Sequence, residues 1–201
     1  MNKITTFVDN RMLNNTYLLK IDRQVLIIDP SFSTKEIKNY ITKNNLEVLA
    51  ILLTHGHFDH FAGVEELGNL YNCPYYISRE DEGFLYDRSK SHAPNKMNML
   101  PVIFPKEELS IGDFHLELIA TPGHSLGSIV IVWEKSMFTG DFLFHGDIGR
   151  TDLPGSSHQQ MVESLKMFAK IETDYKIYPG HEEGTSLKQE QINNPYLNRY
   201  V

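Results

Sequence analysis

A chain of 201 residues, 41% of them hydrophobic, is long enough for one domain with a substantial core and too apolar for a disordered segment. Its net charge of −7 argues against nucleic acid or an anionic membrane surface as a partner. One cysteine, Cys73, excludes an internal disulfide framework, a cysteine zinc site and a paired-thiol redox centre, and this cysteine usage suits the cytoplasm.

The 1–12 stretch has one early lysine and no apolar run, so no signal peptide is expected. The longest apolar run, 48–53, is too short to cross a membrane. Residues 16–21 and 24–29 are β-rich and join at a tight Asp22-Arg23 turn. Ser33 is placed to cap a helix over 34–44, with Glu36 at the capping-box position and Ile37, Tyr40 and Ile41 on one face. The continuous apolar run at 47–53 predicts a strand buried on both faces. A helix over 61–71 and a strand over 74–78 complete a β-α-β-α-β start. Residues 79–105 have the weakest pattern and are rich in charge, Asn and Met. They read as surface helix plus loop, a candidate substrate lid with Lys90 and Lys96 placed to meet an anion. Strands follow at 113–120 and 128–133, with a short edge strand at 136–139. An amphipathic helix covers 158–171, with Met161, Leu165, Phe168 and Ala169 inward. A last strand at 175–178 and a last helix at 186–193 close the pattern. Alternating strands and helices in both halves predict two sheets, each covered by helices on its outer face.

The chemistry is concentrated after the buried strand, where the chain reads Thr54-His55-Gly56-His57-Phe58-Asp59-His60. In an extended loop, residues two apart point the same way, so His55 and His57 can meet one metal ion. Asp59 and His60 lie further on and can reach a second. Gly56 lets the backbone turn tightly at the strand end. Three later segments repeat the design of a β-rich run followed by a ligand-type residue beside Gly or Pro. They are Thr121-Pro122-Gly123-His124-Ser125, Thr139-Gly140-Asp141 and Tyr178-Pro179-Gly180-His181. Strand ends sharing one edge of a sandwich would bring all of these to one cleft. Nitrogen and oxygen donors without thiolate suit two divalent first-row ions sharing a carboxylate. They favour Zn²⁺, Mn²⁺ or Fe²⁺ in a catalytic site over a closed structural zinc.

This pattern, H-x-H-x-D-H followed by His124, Asp141 and His181, resembles the metallo-β-lactamase superfamily over nearly the whole chain. The resemblance implies an α/β fold, a four-layer αββα sandwich, with residues 1–201 as a single hydrolase domain. It implies His55, His57 and His124 around one metal, Asp59, His60 and His181 around a second, and Asp141 bridging them. Asp59 would also orient the nucleophile. Asp29, in Leu26-Ile27-Ile28-Asp29-Pro30, matches a family aspartate that steadies the histidine loop without touching metal.

Within the superfamily, Thr139-Gly140-Asp141-Phe142-Leu143-Phe144 and Ile148-Gly149-Arg150-Thr151-Asp152-Leu153-Pro154-Gly155 look most like the short bacterial glyoxalase-II-like hydrolases. That likeness implies hydrolysis of a small-molecule thioester, an S-2-hydroxyacyl thiol such as S-lactoylglutathione. The cofactor would be two divalent metal ions, zinc first, with iron or manganese as alternatives. True β-lactamases often carry cysteine where this chain has Asp141, so antibiotic hydrolysis is not expected. Only 20 residues follow His181, so the helical domain with which full-length glyoxalase II clamps glutathione is not expected either. Two alternatives stay open. One is a single-iron persulfide dioxygenase, which shares the Gly-Arg-Thr-Asp text but usually has Cys where this chain has Ile148. The other is a metal-dependent lactonase or other ester hydrolase. Arg150 is a candidate for holding a substrate carboxylate, although pairing with Asp152 is the plainer role. His145 is a candidate cleft residue, although a solvated loop histidine is the plainer reading. His92, His115 and His158 read as ordinary histidines, Tyr17 and Tyr178 as core or rim residues, and Cys73 as a small buried hydrophobe.

Overall fold

The apolar runs condense into two six-stranded sheets in a computed structural model that describes residues 3–201. The first two residues of the 1–12 stretch lie outside the described residues. The first sheet runs in chain order: β1 (Lys3–Val8), β2 (Asn15–Ile21), β3 (Gln24–Ile28), β4 (Glu47–Leu52), β5 (Tyr75–Ile77) and β6 (Val102–Ile103). Its first three strands are antiparallel, and β3 to β6 are parallel. Parallel neighbours need crossovers. These are α1 (Thr34–Asn44), then α2 (Phe58–Phe61) with α3 (Val64–Tyr71), then a segment holding α4 (Arg88–Ser91). The second sheet has β7 (Glu108–Ile111), β8 (Phe114–Ala120), β9 (Ile129–Trp133), β10 (Ser136–Gly140), β11 (Lys176–Pro179) and β12 (Thr185–Ser186), also in chain order. Only β10 and β11 pair parallel there, and α5 (His158–Phe168) lies between them in the chain; α6 (Leu187–Asn193) follows β12.

Each central strand is apolar on both faces because it packs on both sides. Leu19, Leu26, Ile28 and Leu52 meet Phe114, Leu116, Ile131 and Phe138 between the sheets. On the outer face of the first sheet, Val25, Ile27 and Ile51 pack on Ile37 and Ile41 of α1 and Val64 and Leu67 of α3. Val130, Val132 and Met137 pack in the same way on Met161, Leu165 and Phe168 of α5. The result is the four-layer αββα sandwich. No helix among the described residues is long and apolar enough to cross a membrane.

Several local expectations change. Strands β1, β6, β7 and β12 are additional to those predicted. Strand β10 is not an edge strand: β9 and β11 flank it. The 61–71 helix is two pieces, because the Gly63 amide leaves the helical pattern and donates to the Pro30 carbonyl, 2.8 Å away. Ser33 precedes α1, but its side chain makes no capping bond; its backbone (φ −78°, ψ 26°) is not the extended conformation from which a hydroxyl reaches the first-turn amides. The 79–105 segment is pinned to the core by Phe84, Leu85, Ala93 and Met97, all buried. It is a packed cover with a 3-10 turn at Glu82–Tyr86 and the short helix α4, and Lys90 and Lys96 are exposed on it.

One aromatic row crosses the sandwich beneath the strand ends. The Tyr17 ring of β2 lies 5.2 Å from that of Phe138 in β10, which stacks 5.2 Å from Tyr178 in β11. Phe138 is fully buried. Phe138→Ala should lower unfolding free energy by about 3–5 kcal/mol, checked by urea denaturation. A loss below about 1 kcal/mol, the scale of an exposed site, would mean that the row does not hold the sheets together.

Candidate metal centre

Four strand ends deliver the polar residues to one edge of the sandwich. The turn after β4 carries His55, His57, Asp59 and His60; the loop after β8 carries His124; β10 ends at Asp141 and β11 at His181. Their donor atoms form three groups, each within a 4.8 Å span: His55, His57 and His124; His55, His60 and Asp141; Asp59, His60 and His181. Asp141 lies between the outer groups, with Oδ1 3.2 Å from His60 Nε2 and Oδ2 3.5 Å from His124 Nε2. The structure therefore brings together all seven residues that the spacing singled out.

Hydrogen bonds outside the cluster decide which ring nitrogens face into it. The Thr54 hydroxyl donates to Asp29 Oδ2 at 2.6 Å, so towards His55 Nδ1, 3.1 Å away, it can only accept. His55 Nε2 then carries the free lone pair. His124 Nδ1 donates to the Arg150 carbonyl at 2.9 Å, which frees Nε2 in the same way. His60 Nδ1 lies 2.8 Å from Asp29 Oδ2, and the Thr54 amide donates to Asp29 Oδ1 at 2.8 Å. Asp29 thus touches the histidine turn at both ends. Such partners of metal-type histidines fix tautomer and ring direction.

Burial and charge divide the cluster. Burial holds the His55 imidazole well below its ordinary range, with His60 adding to the effect. Burial, then His124, brings His57 down to about 3. Both rings are neutral at pH 7. Burial would also lower His60, but Asp141, Asp59 and Asp29 override it and raise that ring well above its ordinary range. His181 is raised as well: burial opposes, and the bond to Asp59 Oδ2 at 3.1 Å together with the Asp141 and Asp59 charges overrides it. Asp141 is held well below the carboxylate range, since His60 outweighs its burial.

The residues fit divalent metal. His55 Nε2 and Asp141 Oδ1 are buried without any hydrogen-bond partner, and His57 meets the cluster through Nδ1, 2.8 Å from His124 Nε2. An orphaned buried polar atom costs about 1–3 kcal/mol unless something binds it. Nitrogen and carboxylate donors with no thiolate match zinc, iron or manganese equally. Space is tight around them. A Cβ on Gly180 would stand 2.3 Å from Asp141 Oδ1 and 2.7 Å from His60 Cε1.

The two substrate candidates point elsewhere. The Arg150 guanidinium is exposed and pairs with Asp152 at 2.6 and 2.8 Å; its contribution to the cluster is the backbone carbonyl on His124. His145 is exposed and faces Glu183 at 2.9 Å. Other residues come to the site from a distance. The His92 ring lies 6.4 Å from His57 and the Phe84 ring 5.4 Å. The Asn14 amide is 3.2 Å from His60, and Asn15 and Tyr17 donate to Pro179 O, holding the turn before His181. Asn14, Asn15 and Tyr17 are 46 to 164 residues from these partners, so no local pattern announces them. A cleft of about 470 Å³ lined by Arg79, Phe104, Lys106, Leu118 and Leu126 includes none of the seven donors.

This edge-on cluster of histidines and aspartates on an αββα sandwich defines a metallo-hydrolase. Residues 9–181 match the Metallo-beta-lactamase superfamily, and the chain belongs to it. It is 35% identical over 196 residues to the probable metallo-hydrolase YqgX of Bacillus subtilis (strain 168), covering 92% of this chain and 93% of that protein. It is 31% identical over 188 residues to the hydroxyacylglutathione hydrolase GloC of Haemophilus influenzae, covering 88% of this chain and 89% of GloC. Among solved structures, the BLEG-1 B3 metallo-beta-lactamase superposes with a TM-score of 0.89 at 29% identity, covering 97% and 99% of the two chains.

Gly180→Ala should displace Asp141 and lower bound metal to at most half the wild-type amount per chain, measured by elemental analysis of freshly purified protein. Full metal content in this variant would show that the turn can yield around the added methyl.

Proposed function

We propose that this chain is a binuclear thioester hydrolase of S-2-hydroxyacyl thiols, working as one domain over 1–201 in the cytoplasm. The observation that carries this reading is the convergence of two donor groups, free of thiolate, on either side of Asp141. His55, His57 and His124 would hold one divalent ion, Asp59, His60 and His181 the other, and Asp141 both. Zinc is the first choice, with iron or manganese suited to the same donors. When bound, such ions supply Lewis acidity and lower the pKa of water.

The chain's own residues do the rest. Asp29 and the Arg150 carbonyl keep His60 and His124 aimed inward. Asp59 remains partly exposed beside His181, where its carboxylate can accept a hydrogen bond from a water molecule and orient it towards a carbonyl carbon. A thiolate is a good leaving group and needs no strong proton donor. Likeness to GloC supports a thioester substrate, and likeness to BLEG-1 makes a β-lactam the necessary control.

S-lactoylglutathione should be hydrolysed by metal-replete protein, and chelation should abolish the activity. Turnover of β-lactams or lactones alone, or oxygen uptake with glutathione persulfide, would overturn the thioester assignment. Asp141→Ala should cost at least ~100-fold in kcat, the scale on which loss of a charge-stabilising group is felt. Turnover and metal content like those of wild type would remove Asp141 from the site.

A further inference from the structure

Asp81 lies in the segment with the weakest sequence pattern and outside the donor groups, and its side chain is fully buried. Three donors from two different loops converge on it. Oδ2 accepts from the Gly56 amide at 2.9 Å and from the Ser125 hydroxyl at 2.6 Å. Oδ1 accepts from the Gly127 amide at 2.8 Å. Gly56 separates His55 from His57, and Ser125 follows His124. One carboxylate therefore joins the two loops that carry the three-histidine group. The approach is close: a Cβ on Gly127 would stand 2.7 Å from Asp81 Cγ and 2.1 Å from Ser78 Oγ. Three residues after Asp81, the Phe84 ring packs on His57.

We propose that Asp81 is a positioning residue that braces His55, His57 and His124 into one arrangement, and so sets the metal affinity of that group without touching metal or substrate. This rests on the reading that those histidines hold a metal. A carboxylate accepts at both oxygens and carries no N–H that would face a donor. An asparagine must turn its NH₂ towards at least one of the three donors and lose that bond. Asp29 serves the other group through His60 and reaches the three-histidine group only at His55, through the Thr54 hydroxyl. Asp81 bonds to no residue of the other group, so removing its carboxylate should loosen the three-histidine group and spare the other. Partners of this kind are worth about 10–100-fold in metal affinity.

The test is titration of metal-stripped protein with Co²⁺ alone, against a competing chelator, followed by visible absorption. Wild type, Asp81→Asn, Ser125→Ala and His124→Ala are compared, with far-ultraviolet circular dichroism as the folding control. Wild type should bind two Co²⁺ per chain. The spectrum missing from His124→Ala identifies the three-histidine group. Asp81→Asn should weaken binding at that group at least ~10-fold and leave the other within about twofold. Ser125→Ala, which removes one of the three bonds, should weaken the same group less. Unchanged affinity and spectrum in Asp81→Asn, or equal loss at both groups, would overturn the brace. Should Asp81→Asn fail to fold, unchanged binding in Ser125→Ala would overturn it. Wild-type protein that binds no Co²⁺, or His124→Ala that loses none, would overturn the ligand assignment and the brace with it. A normal loss in His124→Ala with none in Asp81→Asn overturns the brace alone.

Discussion

The buried carboxylate of Asp29 fixes where the chain may go at the end of β4. It accepts from the Thr54 amide and hydroxyl and faces His60 Nδ1, three polar groups that have no water to fall back on. Left without it, each would cost about 1–3 kcal/mol. The demand extends to the backbone of Asp29 itself, whose φ of 50° is a left-handed conformation that aspartate tolerates better than most residues. The Asp29 carbonyl in turn accepts from Thr16 at 2.8 Å, so the start of β2 is tied to the ends of β3 and β4. The histidine turn starts from a point that three strands agree on.

The second sheet is registered against this point. The Ile129 amide at the start of β9 donates to Thr54 O at 2.9 Å, and the Asn15 amide at the start of β2 donates to Gly180 O at 2.7 Å. His124 and His181 thereby inherit their positions from the first sheet as much as from their own strands. The aromatic row of Tyr17, Phe138 and Tyr178 fills the gap directly below. Packing inside the sandwich and polar bonding at its edge are one continuous structure. A change in the row is felt at Asp141 and His181, each within three residues of a stacked ring.

Legibility in the sequence followed how local each signal was. The central strands are continuous apolar runs, and five of the seven donors, His55, His57, His124, Asp141 and His181, adjoin a Gly just past a strand end, so both could be read from short windows. Strands β1 and β7 are sheet edges whose residues are mostly half-exposed or exposed, leaving little apolar signal. Strand β6 has two residues, and pairing with β5 alone makes it a strand. The interior place of β10 depends on β11, which pairs with it across about forty residues of intervening chain, a separation that crossovers of this size allow. Arg150 illustrates the other limit. Its side chain attracted notice, yet its backbone carbonyl orients His124. Any residue type has that carbonyl, so composition is silent about it. Asp81 was hidden for a third reason: its partners are 25, 44 and 46 positions away.

The two halves of the centre are electrostatically unlike, and the fold explains why. His55 and His57 sit where burial dominates, and they are neutral. His60 and His181 face Asp59, Asp141 or Asp29 closely enough to hold protons against burial. One group therefore offers a cation neutral nitrogen alone, and the other offers carboxylate as well. Asp59 belongs to the second group alone because it lies in α2, one step beyond the histidine pair. Asp141 stands on the boundary, close to His60 by one oxygen and to His124 by the other. Hence a single two-residue spacing, His-x-His followed by Asp-His, generates two chemically distinct seats. The turn from extended chain at His57 to helix at Phe58 separates them.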